Sequence, residues 1–366
     1  NKQTNKQMSS PSPSYTTSNP PHSGPLFVAT SASTRMVYNL LSCLVSPHNS
    51  KSQYAIKGNG NGLREEKRDV FVDVYVEEEG ITFVEKGLGG TSQASVNIQS
   101  FVFQTYCVSL SPTSPSEFHI SLTAILATLP LLSHNAMDTT SLTMSYNVDD
   151  GVFKIILEKD GVSCSVAISS SGSVDVSHDP STSLQGIFMD EPVVARAILK
   201  SSILLSAVEE VKSVGGTGDV IVEVSPSVMV LSTKGDAGGC LVELPRSREI
   251  FSSLECFPPT NHTRVYSLSL FLTGMAALPY AHETCIQINR VGVCAVQHQV
   301  KDLVGRNCFV DFIVGCKEHS DSDSDSSDVS VSGRGCGKRY DQHPQDGFEP
   351  TQYTAVEGTE GEGWGR

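Results

Sequence analysis

The stretch DVFVDVYVEEEGITFVEKG, residues 69–87, alternates apolar and polar side chains on both sides of the acidic turn EEEG. Successive side chains of a β-strand point to opposite faces, so this alternation predicts two neighbouring strands with one face on a core. The stretch DVIVEVSPSVMVLSTKG, residues 219–235, repeats the alternation and many of the letters. The repeat indicates that one structural unit occurs twice in the chain.

A second pair of similar stretches follows the first pair in the same order. FHISLTAILATLPLL, residues 118–132, resembles RVYSLSLFLTGMAALPYA, residues 264–281. Both pairs are separated by about 150 residues, which indicates a duplicated domain.

Each half is predicted to have the order β-α-βββ-α-βββ. In the first half a short strand at 26–32 precedes an amphipathic helix, STRMVYNLLSCLV, whose apolar residues recur at helical spacing. In the second half a short strand at 186–191 precedes a helix predicted over 192–216, with a proline at its start and two glycines at its end. Four helices among many antiparallel strands predict an α+β fold.

Composition divides the chain into segments with and without a core-forming pattern. The predicted segments are a disordered N-terminus (1–25), a first domain (26–171) with an insertion (46–68), a connector (172–185), a second domain (186–318) and a disordered acidic, glycine-rich tail (319–366). The stretch CFVDFIVGC, residues 308–316, is predicted to be the last strand and to lie near a sheet edge.

The formal net charge of the chain is −14, from 26 Lys and Arg against 40 Asp and Glu. This charge argues against a protein that coats nucleic acid through overall positive charge. No apolar run reaches the roughly 18 residues of a membrane-spanning helix, and the polar N-terminus lacks the apolar core of a signal peptide. We therefore predict an intracellular protein with no membrane partner.

The cysteines and carboxylates do not form a recognisable reactive site. The ten cysteines are scattered without a Cys-x-x-Cys pair, so they predict no zinc site. Residues 26–316 contain no Asp-x-Asp or Asp-x-Glu, the usual trace of a two-metal nuclease site. We predict no catalytic residue, metal or cofactor. The alternative is a metal-dependent 3′→5′ exonuclease, with Asp73 and Asp219 as candidate carboxylates.

A few cations fall on the predicted helices. Arg196 and Lys200 are four residues apart on the helix predicted over 192–216, Lys212 lies near its end, and Arg35 opens the first helix. Such a surface can contact DNA phosphates without reading sequence. The alternative is an ordinary solvated helix face on a protein-binding scaffold that does not contact DNA.

Four blocks of sequence carry a resemblance to a known family. They are FHISLTAILATLPLL, VFKIILEKDGVSCSVAIS (152–169), VMVLSTKGDAGGCLVELPRSREIFSSLECF (228–257) and NCFVDFIVGC (307–316) with acidic residues after it. With the duplicated halves, these blocks resemble the sliding DNA clamp family and, within it, the Rad-one type subunit of the heterotrimeric DNA-damage checkpoint clamp. The resemblance runs from about residue 26 to about residue 318.

This resemblance implies a non-catalytic nuclear protein in a closed ring with two other clamp subunits, with helices lining the hole and sheets outside. An ATP-driven loader would place the ring around double-stranded DNA, where it would recruit checkpoint and repair proteins. It also implies that Arg35, Arg196, Lys200 and Lys212 face the hole, and that partner proteins dock beside the connector at 172–185.

The tail HSDSDSDSSDVS places an aspartate three residues after each of Ser320 and Ser322. Acid-directed kinases favour this setting, so both serines are candidate phosphorylation sites that an arginine-lined partner could read. The alternative is a solubilising tail without a partner.

Overall fold

The strands and helices of the chain follow from a computed structural model, which describes residues 24–45, 69–87, 90–110, 116–170, 183–214, 218–235, 238–258, 260–302 and 304–317. The predicted N-terminal segment, the insertion and the acidic tail with Ser320 and Ser322 lie outside the described residues, as does most of the connector. None of the helices described is both long and apolar enough to cross a membrane.

The first half contains nine strands and two α-helices among the described residues. They are β1 (Phe27–Ser31), α1 (Arg35–Ser42), β2 (Phe71–Glu77), β3 (Gly80–Lys86), β4 (Ser92–Gln99), β5 (Thr105–Val108), β6 (Glu117–Ser121), α2 (Leu122–Thr128), β7 (Ser141–Asn147), β8 (Val152–Lys159) and β9 (Val162–Ser169). Two short 3₁₀ turns, Ser100–Val102 and His134–Thr139, complete the half.

The second half repeats this order after one additional helix, α3 (Leu184–Asp190). Its elements are β10 (Val193–Lys200), α4 (Ser201–Val214), β11 (Asp219–Val224), β12 (Val228–Gly235), β13 (Gly238–Pro245), β14 (Phe251–Cys256), β15 (His262–Ser267), α5 (Leu268–Gly274), β16 (Ala281–Asn289), β17 (Cys294–Lys301) and β18 (Asn307–Val314). The duplication and the α+β class are confirmed. The predicted order is wrong in one respect, because five strands separate the two repeated helices of each half instead of three.

Two predicted elements at the start of the second half are also wrong. Of residues 186–191, predicted as a strand, residues 186–190 belong to the helix α3, which ends at Asp190. The helix predicted over 192–216 is divided, because Val193–Lys200 forms the strand β10 and the helix α4 begins only at Ser201. In β10 the buried Ala195, Ala197 and Leu199 alternate with more exposed side chains, so this segment has the period of a strand.

The strands form three antiparallel sheets. Their strand orders are β5-β1-β7-β8-β9, β14-β10-β16-β17-β18-β4-β3-β2-β6 and β13-β12-β11-β15. The nine-stranded sheet takes strands from both halves, and β18 lies in its interior between β17 and β4. The prediction that CFVDFIVGC lies near a sheet edge is therefore wrong.

The helices bury one side against the sheets. In α4 the buried Leu204, Ala207, Val208 and Val211 recur at helical spacing and join a core shared with the strands. The short helix α2 begins after Ser121, whose hydroxyl accepts a hydrogen bond from the Ala124 amide at 3.1 Å. The four repeated helices therefore cover one face of the sheets they contact, whereas α3 lies against the opposite face, most of which is open.

A buried series of hydrogen bonds links two helices to the large sheet. His298, on β17, contacts the Gly274 carbonyl oxygen through Nε2 at 2.7 Å and the Thr284 hydroxyl through Nδ1 at 2.9 Å. A carbonyl oxygen only accepts, so Nε2 carries the proton and the Thr284 hydroxyl donates to Nδ1. The Ser201 hydroxyl lies 2.8 Å from the Thr284 hydroxyl. This series of hydrogen bonds thus links the start of α4, the strands β16 and β17, and the end of α5.

We predict that His298 makes the stability of the protein depend on pH. Burial lowers the pKa of His298 from 6.5 to about 4. Between these pH values the unfolded chain binds a proton that the folded chain does not, so the free energy of unfolding decreases as the pH falls through this window. The full loss is about 3 kcal/mol. Urea unfolding from pH 7 to pH 4 should show this loss relative to His298→Gln, which does not titrate. Equal pH profiles for the two proteins would contradict the prediction.

Candidate functional site: two free sheet edges and a helix face

The two halves are joined by a strand pair that runs across the large sheet. β18, from the second half, pairs with β4, from the first half, in an antiparallel register that includes Val310 opposite Val96 and Phe312 opposite Ala94. Outside the strands, the Arg306 guanidinium lies 4.8 Å from the centre of the Phe101 ring. This junction shows how the last strand of one half pairs with the third strand after the first repeated helix of the other half.

The strands β9 and β13 are the counterparts of β18 and β4 in the opposite halves. β9 is the last strand of the first half as β18 is of the second, and β13 follows the first repeated helix at the same position as β4. Among the described residues, β9 pairs with β8 alone and β13 with β12 alone. The first half therefore leaves one edge of its last strand, β9, unpaired. The second half leaves one edge of β13 unpaired, although β18 and β4, the corresponding strands, pair with each other.

These two edges differ from the other sheet edges in length and charge. β9 and β13 have eight residues each, and within them Glu243 is the one charged side chain. The other edge strands have four to six residues, and three of them carry charges: Glu117 on β6, Glu255 on β14 and Arg264 on β15. Proteins protect exposed edges with short strands and charges, so a long edge with little or no charge indicates a surface that pairs with another chain.

Apolar side chains on these edges are only partly covered. Cys164 and Val166 on β9, and Cys240 and Val242 on β13, point toward the core but remain half-buried. Burial raises the pKa of the Cys240 thiol, and the nearby Glu210 carboxylate on α4 raises it further. A strand added at either edge would cover these side chains.

The helices expose few free cations. Arg35 opens α1, where its Nη2 lies 3.3 Å from Asp138 Oδ2 and 3.0 Å from the His134 carbonyl oxygen. Lys212 is exposed on α4 together with Glu209 and Glu210. The helices α2 and α5 contain no charged residue.

Several hydroxyl groups on these helices already donate to helix carbonyl oxygens. The hydroxyl of Thr128 donates to the carbonyl oxygen of Ala124 (2.8 Å), that of Ser206 to Ser202 (3.2 Å), that of Ser213 to Glu210 (2.7 Å) and that of Thr273 to Ser269 (3.0 Å). These hydroxyl protons are therefore not free to meet a phosphate, so the helix face offers few groups that bind an anion strongly.

The sequence predicts that Arg196 and Lys200 lie on one helix with Lys212, and this prediction is wrong. Both are exposed on β10, on the sheet face opposite the buried Ala197 and Leu199 that pack with α4. Arg196 lies beside Cys285, whose thiol pKa is raised by burial and lowered in part by this guanidinium. The structure therefore separates the four predicted cations into Arg35 and Lys212 on helices, and Arg196 and Lys200 on the open sheet face.

A cleft of about 440 Å³ lies on this open face beside α3. Its wall includes Phe188 and Met189 of α3, and its floor crosses the internal junction. The floor is polar: Gln297 Nε2 donates to Asp311 Oδ1 at 2.9 Å, and burial raises the pKa of Asp311. The cleft could not be predicted from the sequence, because it is assembled from β4, from α3 and β10, and from the consecutive strands β16–β18, which lie far apart along the chain.

The carboxylates proposed for a nuclease are bound to cations of the protein itself. Asp73 lies 2.9 Å from Lys86 Nζ and 2.8 Å from His119 Nδ1, while Asp219 pairs with Lys317. Within the ranges that the structure describes, no group of three or more His, Cys, Asp or Glu side chains could hold a metal ion.

Comparisons with known proteins agree with this architecture. The family model described as "Repair protein Rad1/Rec1/Rad17" matches residues 26–300. The mouse cell cycle checkpoint protein RAD1 is 25% identical over 224 residues, which cover 60% of this chain and 75% of the mouse protein. A crystal structure of the PCNA2–PCNA3 complex from Sulfolobus tokodaii matches 79% of this chain and 99% of its own chain, with a TM-score of 0.57 at 10% identity. That likeness shows a shared clamp fold.

We predict that Asp73 stabilises the fold. Asp73→Asn removes the carboxylate that binds both Lys86 and His119, so the free energy of unfolding should fall by about 1–2 kcal/mol. Asp149→Asn, in an exposed turn, is the matched control and should change it by less than about 0.5 kcal/mol. Urea unfolding of the three proteins at pH 7 measures both values, and equal midpoints for Asp73→Asn and the unchanged protein would contradict the role.

Proposed function

Because this chain belongs to the Rad1/Rec1/Rad17 family of repair proteins and has the DNA-clamp fold, it is a checkpoint clamp subunit, and we propose that it closes a ring with two other clamp subunits through β9 and β13. The observation that carries the proposal is the pair of long, unpaired edges, which together carry a single charged side chain, Glu243. One edge would receive each neighbour, and the internal junction of β18 with β4 indicates the kind of pairing expected.

We further propose that double-stranded DNA passes through the ring without sequence-specific contact. In this arrangement the helices face the DNA, and Arg35 and Lys212 are the cations that this subunit contributes. Arg196 and Lys200 are not part of the proposed DNA surface, because they lie on the sheet face that points away from α4. Arg35 already forms an ion pair with Asp138, and Lys212 shares α4 with Glu209 and Glu210. The partner subunits would therefore supply most of the positive charge that lines the hole.

The open sheet face is our proposed site for recruited proteins. The cleft beside α3 has apolar walls and a polar floor, features that suit a bound peptide segment. In the proposed cycle an ATP-driven loader places the ring on DNA in the nucleus, and checkpoint and repair proteins then dock on the outside. Phosphorylation of Ser320 and Ser322 would add negative charge for an arginine-lined partner to read.

A ring holds DNA by enclosing it, so this function requires no catalytic residue and only weak phosphate contact. The exonuclease alternative finds no support in the described residues, where Asp73 and Asp219 bind cations of the protein. The scaffold alternative has one specific observation in its favour, namely the scarcity of free cations on the helices.

We predict that each edge binds a different neighbour. Val166→Lys places a charge on the core-facing side of β9, and Val242→Lys does the same on β13, so a paired strand would bury that charge at high cost. When each of the two other clamp subunits is co-expressed alone with this chain, each variant should bind one of them and fail to bind the other on affinity purification.

The matched control for β9 is Ser165→Lys, on the exposed side of the same strand. This variant should recover both subunits in equal amounts, as the unchanged chain does. If Val166→Lys and Val242→Lys each still bound both subunits in these pairwise co-expressions, the ring would close through other surfaces.

We predict that Lys212 contributes one phosphate contact in the assembled ring. Lys212→Ala should reduce the slope of log Kobs against log salt concentration by about 0.9 for duplex DNA. Lys154→Ala, an exposed cation on β8, should leave the slope unchanged. Fluorescence anisotropy between 50 and 200 mM salt, a range of roughly fourfold, measures the slope. An unchanged slope for Lys212→Ala would favour the scaffold alternative.

A further inference from the structure

We propose that β9 of one copy of this chain pairs with β13 of a second copy, so that the chain associates with itself when its partner subunits are absent. The inference uses the edges of the proposed ring but assigns them a different occupant. Self-association would then compete with ring assembly.

The internal junction supplies the register for this pairing. The first residue of β3 pairs with Gln99 at the end of β4, and the first residue of β12 pairs with Pro245 at the end of β13. Val96 and Ala94 of β4 therefore correspond to Val242 and Cys240 of β13.

The same comparison aligns the two last strands. The first buried residue of β8 pairs with Ile168, and the first buried residue of β17 pairs with Val314. Val310 and Phe312 of β18 therefore correspond to Cys164 and Val166 of β9.

Transferred to two copies, this register places apolar side chains opposite each other on the core side. Val166 lies opposite Cys240, and Cys164 lies opposite Val242. Each pair sets a larger side chain against a smaller one, as Phe312 and Ala94 do within the chain. Side-chain size and polarity thus match across the junction, and such cross-strand pairs stabilise a sheet.

No charge on either strand opposes a second copy. Glu243 would lie opposite Ser163, and Pro245 would fall beyond the end of β9. A chain that must avoid its own copies usually carries a repulsive group at the contact. The contact joins two different surfaces, so each dimer keeps one free β9 and one free β13 and growth continues until a ring closes.

One feature of α4 indicates that a second copy is the weaker partner. α4 packs on β13 and places Glu210 near Cys240, whereas α2, which packs beside β9, has no Lys or Arg. Pairing with a copy therefore leaves Glu210 without a cation from α2. A different subunit with a basic side chain at that position would bind more tightly, and this difference favours the mixed ring.

Sedimentation velocity of the full chain alone, from about 1 to 200 μM, tests the proposal over the affinity range of weak complexes. The unchanged chain and Ser165→Lys should both form larger species as concentration rises. Val166→Lys and Val242→Lys should each stay monomeric, with at least about tenfold weaker association. Mixing these two variants should restore a one-to-one dimer, because one keeps β13 and the other keeps β9. Circular dichroism confirms that each variant is folded.

A chain that remains monomeric throughout this range overturns the proposal, as does self-association of either single-edge variant. The ring proposal is judged separately by co-purification with the two other clamp subunits. A monomeric chain that still forms the mixed complex would remove the self-association proposal and leave the ring proposal standing.

Discussion

The antiparallel pairing of β18 with β4 is the interaction on which the rest of the structure depends. It joins strands from two duplicated halves into one nine-stranded sheet and covers two edges that would otherwise be exposed. Because the halves are copies, the same pairing leaves β9 and β13 with a partner on one side only in the described part of the chain. The duplication therefore produces both a stable subunit and two surfaces suited to joining others.

The distribution of polar groups separates the two faces of the molecule. The helices carry few charges, and several of their hydroxyl groups bond to carbonyl oxygens of the same helix. The opposite sheet face carries Arg196, Lys200 and the polar cleft beside α3. A subunit that lets DNA move past one face and receives proteins on the other needs this separation, because strong phosphate contacts would slow sliding.

Period and repetition in the sequence were sufficient to predict the duplicated α+β fold, but not strand neighbours. Alternation in CFVDFIVGC shows which side chains are buried, yet it is the same for an interior strand and an edge strand. Arg196 and Lys200 share one face in a helix and in a strand alike, so their spacing did not distinguish the two. Pairing of β10 with β14 and β16 decides in favour of the strand. The low charge of VSCSVAIS and GGCLVELP can be recognised in the sequence, but the open edge of each strand depends on contacts between residues distant in sequence.

We propose that β9 and β13 are the edges that join this subunit to its neighbours. Hydrogen–deuterium exchange of the chain, alone and in complex with the two other clamp subunits, tests it directly because strand pairing protects backbone amides from solvent. Exchange should slow by at least about tenfold in β9 and β13 and remain unchanged in the edge strands β5, β14 and β15. Unchanged exchange in β9 and β13, with new protection at another edge, would contradict the claim.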